Sequence, residues 1–220
     1  IAIKLQGKSL RWSVAYQFSK KWNEAMLWRS QRISNPKNRF LADPFVIKKN
    51  GSHFCFVEDL DFNSNKGSIS AYKITPSGYE AIGVVLEEDF HLSFPFIFEY
   101  ENEIFMCPET HEKKEIRLYK CIDFPGKWEF HTTLMKNVSA ADTIIFKNKD
   151  RWWLLTNIDQ SCVADHGCQL HIFSSNNPMS DEWIAHENNP VIFDPLIARN
   201  GGLILSDNEI YRVFQRQGFD

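Results

Sequence analysis

Asp43-Pro-Phe-Val-Ile47 and Phe54-Cys-Phe-Val-Glu58 are two apolar runs joined by a polar segment that contains Asn50-Gly51. Two such runs around a Gly-containing polar turn are typical of a β-hairpin. The pattern returns three times along the chain. The counterparts lie at residues 94–109, at 142–157 and, more loosely, at 200–215, with polar turns at 99–102, 147–150 and 207–208. Each copy has the same fifteen-residue offset between its first and last positions. The sequence therefore contains four copies of one predicted hairpin.

Each of the first three hairpins is followed by two further runs with the character of strands. The third strand alternates, as expected near the rim of a sheet, at Ile69–Ile74, Ile116–Cys121 and Gln169–Phe173; the fourth contains Val84-Val85-Leu86, then Trp128 and Phe130, then Trp183 and Ile184. Successive copies start 51, 48 and 58 residues apart, which is room for four strands with their loops. This period indicates the blades of a β-propeller.

The segment ahead of the first copy also has strand-like runs, at Trp12–Phe18 and at Trp22. An incomplete N-terminal blade normally closes against strands from the C-terminus. We therefore predict an all-β fold, a five-bladed β-propeller in which residues 1–220 form a single domain and residues 11–28 complete the closing blade. A four-bladed ring is the alternative, since either closure removes exposed sheet edges. The chain begins without Met and stops abruptly after Gly218-Phe219-Asp220, so we expect it to be part of a longer protein.

Composition excludes several classes of function. The formal net charge of −3 provides no concentrated basic face, so nucleic acid is not an expected partner. No run of about 18 apolar residues exists, so no membrane span is expected. Five cysteines are an odd number and too sparse for a secreted disulfide scaffold, which favours a reducing, cytoplasmic setting. Cys162, His166 and Cys168 offer three ligands where structural zinc takes four, so we predict no metal site and no cofactor.

The repeat predicts where polar chemistry gathers. In a propeller, the innermost strands start at the mouth of the central channel, and a fifteen-residue hairpin returns its second strand to the same rim. This places four carboxylates together, namely Asp43, Glu58, Glu109 and Asp142. Glycosidic bond cleavage needs a carboxylic acid and a carboxylate about 5–9.5 Å apart, so we predict these four as catalytic residues. The alternative for Asp43 and Asp142 is a turn-forming role. Glu58 and Glu109 end very apolar strands, where an unpaired charge would be costly.

Four other residues are candidate ligand contacts. Arg199 and Asn200 open the fourth copy, Gln215 closes it, and His91 immediately precedes the second inner strand. A guanidinium at the mouth could hold a carboxylate or a phosphate. The imidazole could bind a sugar hydroxyl or a phosphate. The alternatives are that Arg199 pairs with Asp43 or Glu58 to hold the channel together and that His91 is a packed loop residue.

Several motifs resemble a known family. They are Phe40-Leu-Ala-Asp-Pro-Phe45, Phe56-Val-Glu58, Phe90-His-Leu-Ser-Phe-Pro95, Met106-Cys-Pro-Glu109 and Ala198-Arg-Asn-Gly-Gly202. From about Trp12 onward the chain resembles the N-terminal domain of glucosamine inositolphosphorylceramide transferases and related bacterial propeller domains, some of them joined to formyltransferase-like or glycosyltransferase modules. More remotely, the Ala-Asp-Pro opening is similar to the five-bladed inverting arabinanase and furanosidase propellers.

This resemblance implies roles for some residues. Asp43 matches the general base of the hydrolases, and Asp142 matches the aspartate that tunes their acid. The fourth copy has Arg199-Asn200 where the acid glutamate is expected, so Glu58 or Glu109 would have to supply the acid, or the reaction would be a transfer from an activated donor.

Three functions follow, in order of preference. The first is a carbohydrate-active domain that acts in glycan assembly or on glycosidic bonds, whose ligand is a carbohydrate or sugar phosphate. The second is a non-catalytic glycan-binding module, covalently linked to a transferase domain that performs the reaction. The third is a protein-interaction propeller, which should present a broad apolar or charged face.

Overall fold

A computed structural model describes residues 12–160, 165–206 and 209–216. Strands β1 (Ala15–Tyr16) and β2 (Gln31–Arg32) pair with each other. The first large sheet contains β3 (Arg39–Lys49), β4 (Ser52–Asp61), β5 (Lys66–Thr75) and β6 (Gly78–Leu86). The second contains β7 (Ser93–Tyr100), β8 (Glu103–Glu109), β9 (Glu115–Asp123) and β10 (Lys127–Lys136). The third contains β11 (Ala140–Asn148), β12 (Arg151–Ile158) and β13 (Gln169–Ser175), with β14 (Ile184–Ala185) and β15 (Ile192–Phe193) both paired to β13. The fourth contains β16 (Asn200–Ser206) and β17 (Glu209–Phe214).

The sheets have the arrangement of propeller blades. Every strand pairing among the described residues is antiparallel, and in the two complete four-stranded sheets consecutive strands lie side by side. The first strands β3, β7, β11 and β16 are neighbours in that order. The prediction of an all-β fold is therefore confirmed. In the described part of the chain β1 pairs with β2 and not with β17, so the closed five-bladed ring, the single domain over residues 1–220 and the closing role of residues 11–28 stay predictions. The helices within the described residues are single 3₁₀ turns, and none of them is long and apolar enough to cross a membrane.

The predicted hairpin turns are confirmed in the first three sheets. Asn50 and Gly51 have φ values of 50° and 76°, and Glu101 and Asn102 have 50° and 64°. Two positive φ angles define a type I′ turn, whose twist matches that of the flanking strands. Lys149 starts the third turn with a φ of 54°. The fourth predicted turn, Asp207-Asn208, lies outside the described residues.

A β-bulge recurs near the start of the inner strands. The pairing register shifts between Ala42 and Phe45 in β3, between Ser93 and Phe96 in β7, and between Ala141 and Ile144 in β11. Within these bulges Asp43, Phe94 and Asp142 have φ values of 47°, 46° and 51°. A left-handed backbone at a residue other than glycine costs about 1 kcal/mol or more, and such strain clusters at functional sites. The repeat thus places one strained residue at equivalent positions of three blades.

The core lies between adjacent blades. Phe56, Ile69 and Met106 pack between the first and second sheets, and Leu118 and Ile144 between the second and third. All five are fully buried, since propeller blades stack on both faces.

The alternation predicted for the third strands fails in β5. Its residues from Gly67 to Tyr72 are all buried. Ile69 and Ala71 pack toward the second sheet, whereas Tyr72 and Ile74 pack in a cluster with the N-terminal segment around Val14. The β1–β2 segment therefore covers a face that would otherwise have been exposed.

An apolar cavity of about 610 Å³ lies between the inner strands on the hairpin-turn side of the bulges. Its walls include Phe45, Phe96, Phe98, Trp152 and Leu203. The polar residues of the repeat lie at the other end of these strands. We call the apolar cavity the channel and this polar end the mouth.

Candidate active site

The four predicted carboxylates converge at the mouth of the channel. Glu58, Glu109 and Asp142 are buried, with 7%, 9% and 1% of their surfaces exposed, and Asp43 is half-buried. Asp43 lies close enough to Glu58 and Glu109 for their charges to raise its pKa, and Asp142 interacts in the same way with Glu109 and Asp43. Residues up to 99 positions apart in sequence thus form one acidic cluster.

Asp43 lies where the first two blades meet. The backbone N–H of Phe94 donates a hydrogen bond to its carboxylate, so the two bulges are connected. Burial and the charges of Glu58 and Glu109 raise the pKa of Asp43 to about 7, although Arg199 and the Phe94 N–H favour the ionised form. Asp43 therefore keeps its proton up to about pH 7.

Asp142 forms an ion pair with the predicted arginine. Nε of Arg199 lies 2.5 Å from Oδ2 of Asp142, and Nε2 of Gln215 lies 3.5 Å from the same oxygen. Burial and the charge of Glu109 raise the pKa of Asp142, whereas the adjacent Arg199 guanidinium favours its ionised form. The partner of Arg199 is thus Asp142, whereas the pairing considered from the sequence was with Asp43 or Glu58, and the Arg199 side chain remains 31% exposed.

Glu109 differs from the two aspartates in its partner. Nδ1 of His111 lies 2.7 Å from Oε1 of Glu109. Burial raises the pKa of Glu109, but the hydrogen bond and charge of His111, with Arg199 and His166, outweigh burial and leave the pKa lowered. The hydrogen bond with Glu109 also raises the pKa of His111. In contrast to Asp43 and Asp142, Glu109 therefore lies in surroundings that favour its ionised form.

A second histidine extends this side of the mouth. The rings of His111 and His166 have centroids 5.5 Å apart, and Nε2 of His166 lies 2.9 Å from Oγ of Ser139. Burial lowers the pKa of His166. A cavity of about 210 Å³ is lined by Glu109, Asp165, His166 and Arg199 together with Ala141, Gly167 and Cys168.

Glu58 is held by His91. Nε2 of His91 lies 3.3 Å from Oε1 of Glu58, and Nδ1 of His91 accepts a hydrogen bond of 3.0 Å from the backbone N–H of Gly67. His91 therefore lies at the mouth, as predicted, but both of its ring nitrogens have protein partners.

Asn200 lies beneath the mouth and is fully buried. Its Nδ2 donates to the backbone oxygens of Asp142 and Leu155, at 2.8 Å and 3.1 Å. Its backbone N–H donates to Oδ1 of Asn157, which is equally buried. Since these bonds occupy the Asn200 amide, the geometry favours a structural role over the predicted ligand contact. Gln215 is half-buried, and its Nε2 also donates to the backbone oxygen of Asn200 at 2.7 Å.

Sequence reasoning missed two histidines and a glycine of this site. His111 follows Glu109 by two residues at the end of the same predicted strand, so this proximity could have identified it. The sequence around His166 suggests only a metal-ligand role, whereas in the structure His166 interacts with Ser139 and faces Glu109. Within residues 12–160, 165–206 and 209–216, no group of three or more His, Cys, Asp or Glu side chains could hold a metal ion. No sequence motif marks Gly67 as part of the site, because its role depends on its contact with His91 in the folded chain.

The chemistry of the cluster follows from its unequal carboxyl groups. Neighbouring carboxyls whose environments push their pKa values apart are the usual basis of an acid and base pair. Here Asp43 has a raised pKa and Glu109 a lowered one, and each interacts with the other. The mouth can therefore donate a proton at one position and accept one at another.

The fold and the site define an all-β, propeller-like domain with an acidic channel mouth. Among solved structures, a *Cellvibrio cellulosa* α-L-arabinanase matches with a TM-score of 0.56 and 16% identity over 78% of this chain and 67% of that one. A *Phanerochaete chrysosporium* exo-β-1,3-galactanase matches with a TM-score of 0.62 and 12% identity over 82% of this chain and 46% of that one. At such identities these similarities support the fold alone.

The chain belongs to the family described as "Glucosamine inositolphosphorylceramide transferase 1, N-terminal", which matches residues 14–219. The resemblance drawn from the sequence motifs is thereby confirmed. A relative named glucosamine inositolphosphorylceramide transferase 1 from *Oryza sativa* subsp. *japonica* is 32% identical over 97% of this chain, and one from *Arabidopsis thaliana* is 35% identical over 83%. The chain covers 29% and 24% of the lengths of these two relatives.

Proposed function

We propose that the acidic mouth binds a carbohydrate or sugar phosphate and carries out acid–base chemistry at a glycosidic bond during glycan assembly. The observation that carries this proposal is the opposite perturbation of two neighbouring carboxyls. The pKa of Asp43 is raised to about 7, whereas that of Glu109 is lowered. Glycosyl chemistry requires such a pair, one group protonated and the other ionised.

The pKa shifts of Asp43 and Glu109 assign the acid and the base differently from the family resemblance. Asp43, which keeps its proton near neutral pH, would donate it to the leaving oxygen. Glu109, which is ionised and supported by His111, would accept a proton from the attacking hydroxyl or water. Arg199 stabilises Asp142 and presents its exposed edge to a carboxylate or phosphate of the ligand. The sequence hypothesis made Asp43 the base, so the two assignments can be distinguished by experiment.

The names of the relatives support a role in glycan assembly. These relatives are transferases of glucosamine inositolphosphorylceramide, and solved structures of similar fold include an arabinanase with arabinohexaose and a galactanase with β-1,3-galactotriose. Because the chain covers less than a third of these transferases, we propose that it works beside a covalently linked transferase domain.

Cys55 and Cys107 are buried free thiols, which suit the cytoplasmic setting proposed from the sequence. Subcellular fractionation tests that setting.

A non-catalytic glycan-binding module is the second candidate. It is favoured by the fourth inner strand, where Arg199 is bound to Asp142 and Asn200 is buried in main-chain hydrogen bonds. No carboxylate from that strand reaches the mouth. In this alternative the same cluster binds sugar hydroxyls without breaking a bond.

Turnover and binding of nucleotide sugars and oligosaccharides distinguish the candidates. We would compare the wild type with Asp43→Asn, Glu109→Gln and the control Asp123→Asn, whose carboxylate is exposed at the end of β9. An enzyme should lose turnover in the first two variants while binding persists and the control is unaffected. Binding without turnover in all four proteins would indicate a recognition module, and absence of any carbohydrate binding would refute the proposal.

A further inference from the structure

His91 connects three elements at the edge of the acidic mouth. Its backbone N–H donates to Oε2 of Glu112 at 3.3 Å, its Nδ1 accepts from the Gly67 N–H, and its Nε2 lies beside Oε1 of Glu58. The loop that carries His91 is also fixed by the Leu92 N–H, which donates to the Gly67 oxygen at 3.0 Å. The ring therefore has a defined position between the first two blades.

The direction of these hydrogen bonds determines the tautomer of the ring. A backbone N–H can only donate, so Nδ1 of His91 must be the unprotonated nitrogen that accepts from Gly67. A neutral imidazole then has its proton on Nε2, which faces the Glu58 carboxylate. We propose that the Gly67 main chain holds His91 as the Nε2–H tautomer and that His91 is thereby a positioning residue for Glu58.

The close approach of Gly67 supports this arrangement independently. A Cβ atom at this position would lie 2.4 Å from the Leu92 oxygen and 2.8 Å from Cε1 of His91. Such distances are impossible without displacement of the loop, so only glycine permits the N–H to reach the ring. The sequence of β5 contains this glycine where a larger residue would separate His91 from the sheet.

The orientation of His91 has a consequence for ligand recognition by Glu58, and this consequence rests on the proposed function. The His91 bond occupies Oε1 of Glu58 and fixes the plane of the carboxylate, which leaves Oε2 to accept a hydrogen bond from a sugar hydroxyl. His91 itself has no free ring nitrogen for the ligand. It therefore acts through Glu58, in contrast to the direct ligand contact predicted from the sequence.

The charged groups around the His91 ring determine the pH at which its tautomer has to be measured. Burial lowers the pKa of His91, but Glu58, Glu109 and Glu112 together raise it above its ordinary value. Protonation of Nδ1 would break the Gly67 bond, which opposes this rise. The tautomer is therefore measured above the titration point of His91, where the ring is neutral.

Nuclear magnetic resonance of the imidazole nitrogens tests the tautomer without any ligand. The 220-residue chain, labelled with ¹⁵N at histidine, should show His91 protonated at Nε2, and assignment uses the His91→Gln variant. Protonation at Nδ1 would overturn the inference whether or not the protein binds carbohydrate. A failed carbohydrate screen with the expected tautomer would instead refute only the proposed function and the recognition role that rests on it.

Two substitutions test the positioning role. The glutamine of His91→Gln can accept from Gly67 with its oxygen and donate to Glu58 with its nitrogen, whereas His91→Leu can do neither. For an oligosaccharide or nucleotide sugar bound by the wild type, we expect His91→Gln to retain affinity within about threefold and His91→Leu to lose about tenfold or more. Thermal unfolding of both variants controls for misfolding. Equal affinities of two folded variants would contradict the positioning role.

Discussion

Replacing Asp43 with asparagine should stabilise this protein as the pH rises. Asparagine tolerates the left-handed backbone at this position, and its side-chain oxygen can still accept the hydrogen bond from the Phe94 N–H. The substitution removes the titratable carboxyl with the least change of structure. Its effect on the free energy of unfolding therefore reports the cost of ionising Asp43 in the mouth.

The magnitude of this stability gain follows from the pKa shift of Asp43. Folding raises the pKa of Asp43 from 3.8 to about 7. At about 1.4 kcal/mol for each pKa unit this is about 4 kcal/mol. Solvent screening at a half-buried side chain reduces it to about 2 kcal/mol. For a chain of this size that is a shift of about 4–8 °C in Tm.

The sign is determined by which state holds the proton. Below about pH 4 both the folded and the unfolded states have a protonated Asp43, so the group contributes no difference. Between about pH 4 and pH 7 the folded state keeps a proton that the unfolded state has released, so wild-type stability falls as the pH rises. Above that range the difference is constant. Asp43→Asn lacks this loss and should gain stability relative to the wild type across the interval.

Urea or thermal unfolding at several pH values measures the effect, with Asp123→Asn as the exposed control. We expect the stability difference between Asp43→Asn and the wild type to grow across the interval and then level off, while the control stays within about 0.5 kcal/mol. A difference that is independent of pH, or that decreases as the pH rises, would refute the raised pKa and with it the assignment of Asp43 as the acid.

Two further substitutions test how the structure supports the mouth. Gly67→Ala should destabilise the fold by about 1–3 kcal/mol, because its methyl group would overlap the loop that carries His91, whereas Gly126→Ala has open space and should be nearly neutral in urea unfolding; equal effects would argue against the close approach. Asn200→Ala should cost about 2–4 kcal/mol in thermal unfolding, since it removes the amide that donates to the buried backbone oxygens of Asp142 and Leu155, and the exposed Asn148→Ala is its control. A small effect of Asn200→Ala would mean that these hydrogen bonds are not needed for stability.

The sequence alone was enough to place the strands of the first three blades. The hairpins around Asn50-Gly51 and Glu101-Asn102 were predictable because turn chemistry and apolar runs are local properties of the chain. The same periodicity put Asp43, Glu58, Glu109 and Asp142 at one rim, since equivalent positions of a repeat reach equivalent places in the fold.

The tertiary structure decided what the carboxyl groups of that rim do. Whether Asp43 keeps its proton and Glu109 loses it depends on His111, Arg199 and the depth of burial, none of which the spacing of the repeat specifies. The role of Asn200 as a buried support, and that of Gly67 as the donor to His91, also depend on contacts between distant segments. Periodicity determines which residues meet at the mouth, whereas ionisation and hydrogen bonding depend on distances of a few ångströms that only the packed blades define.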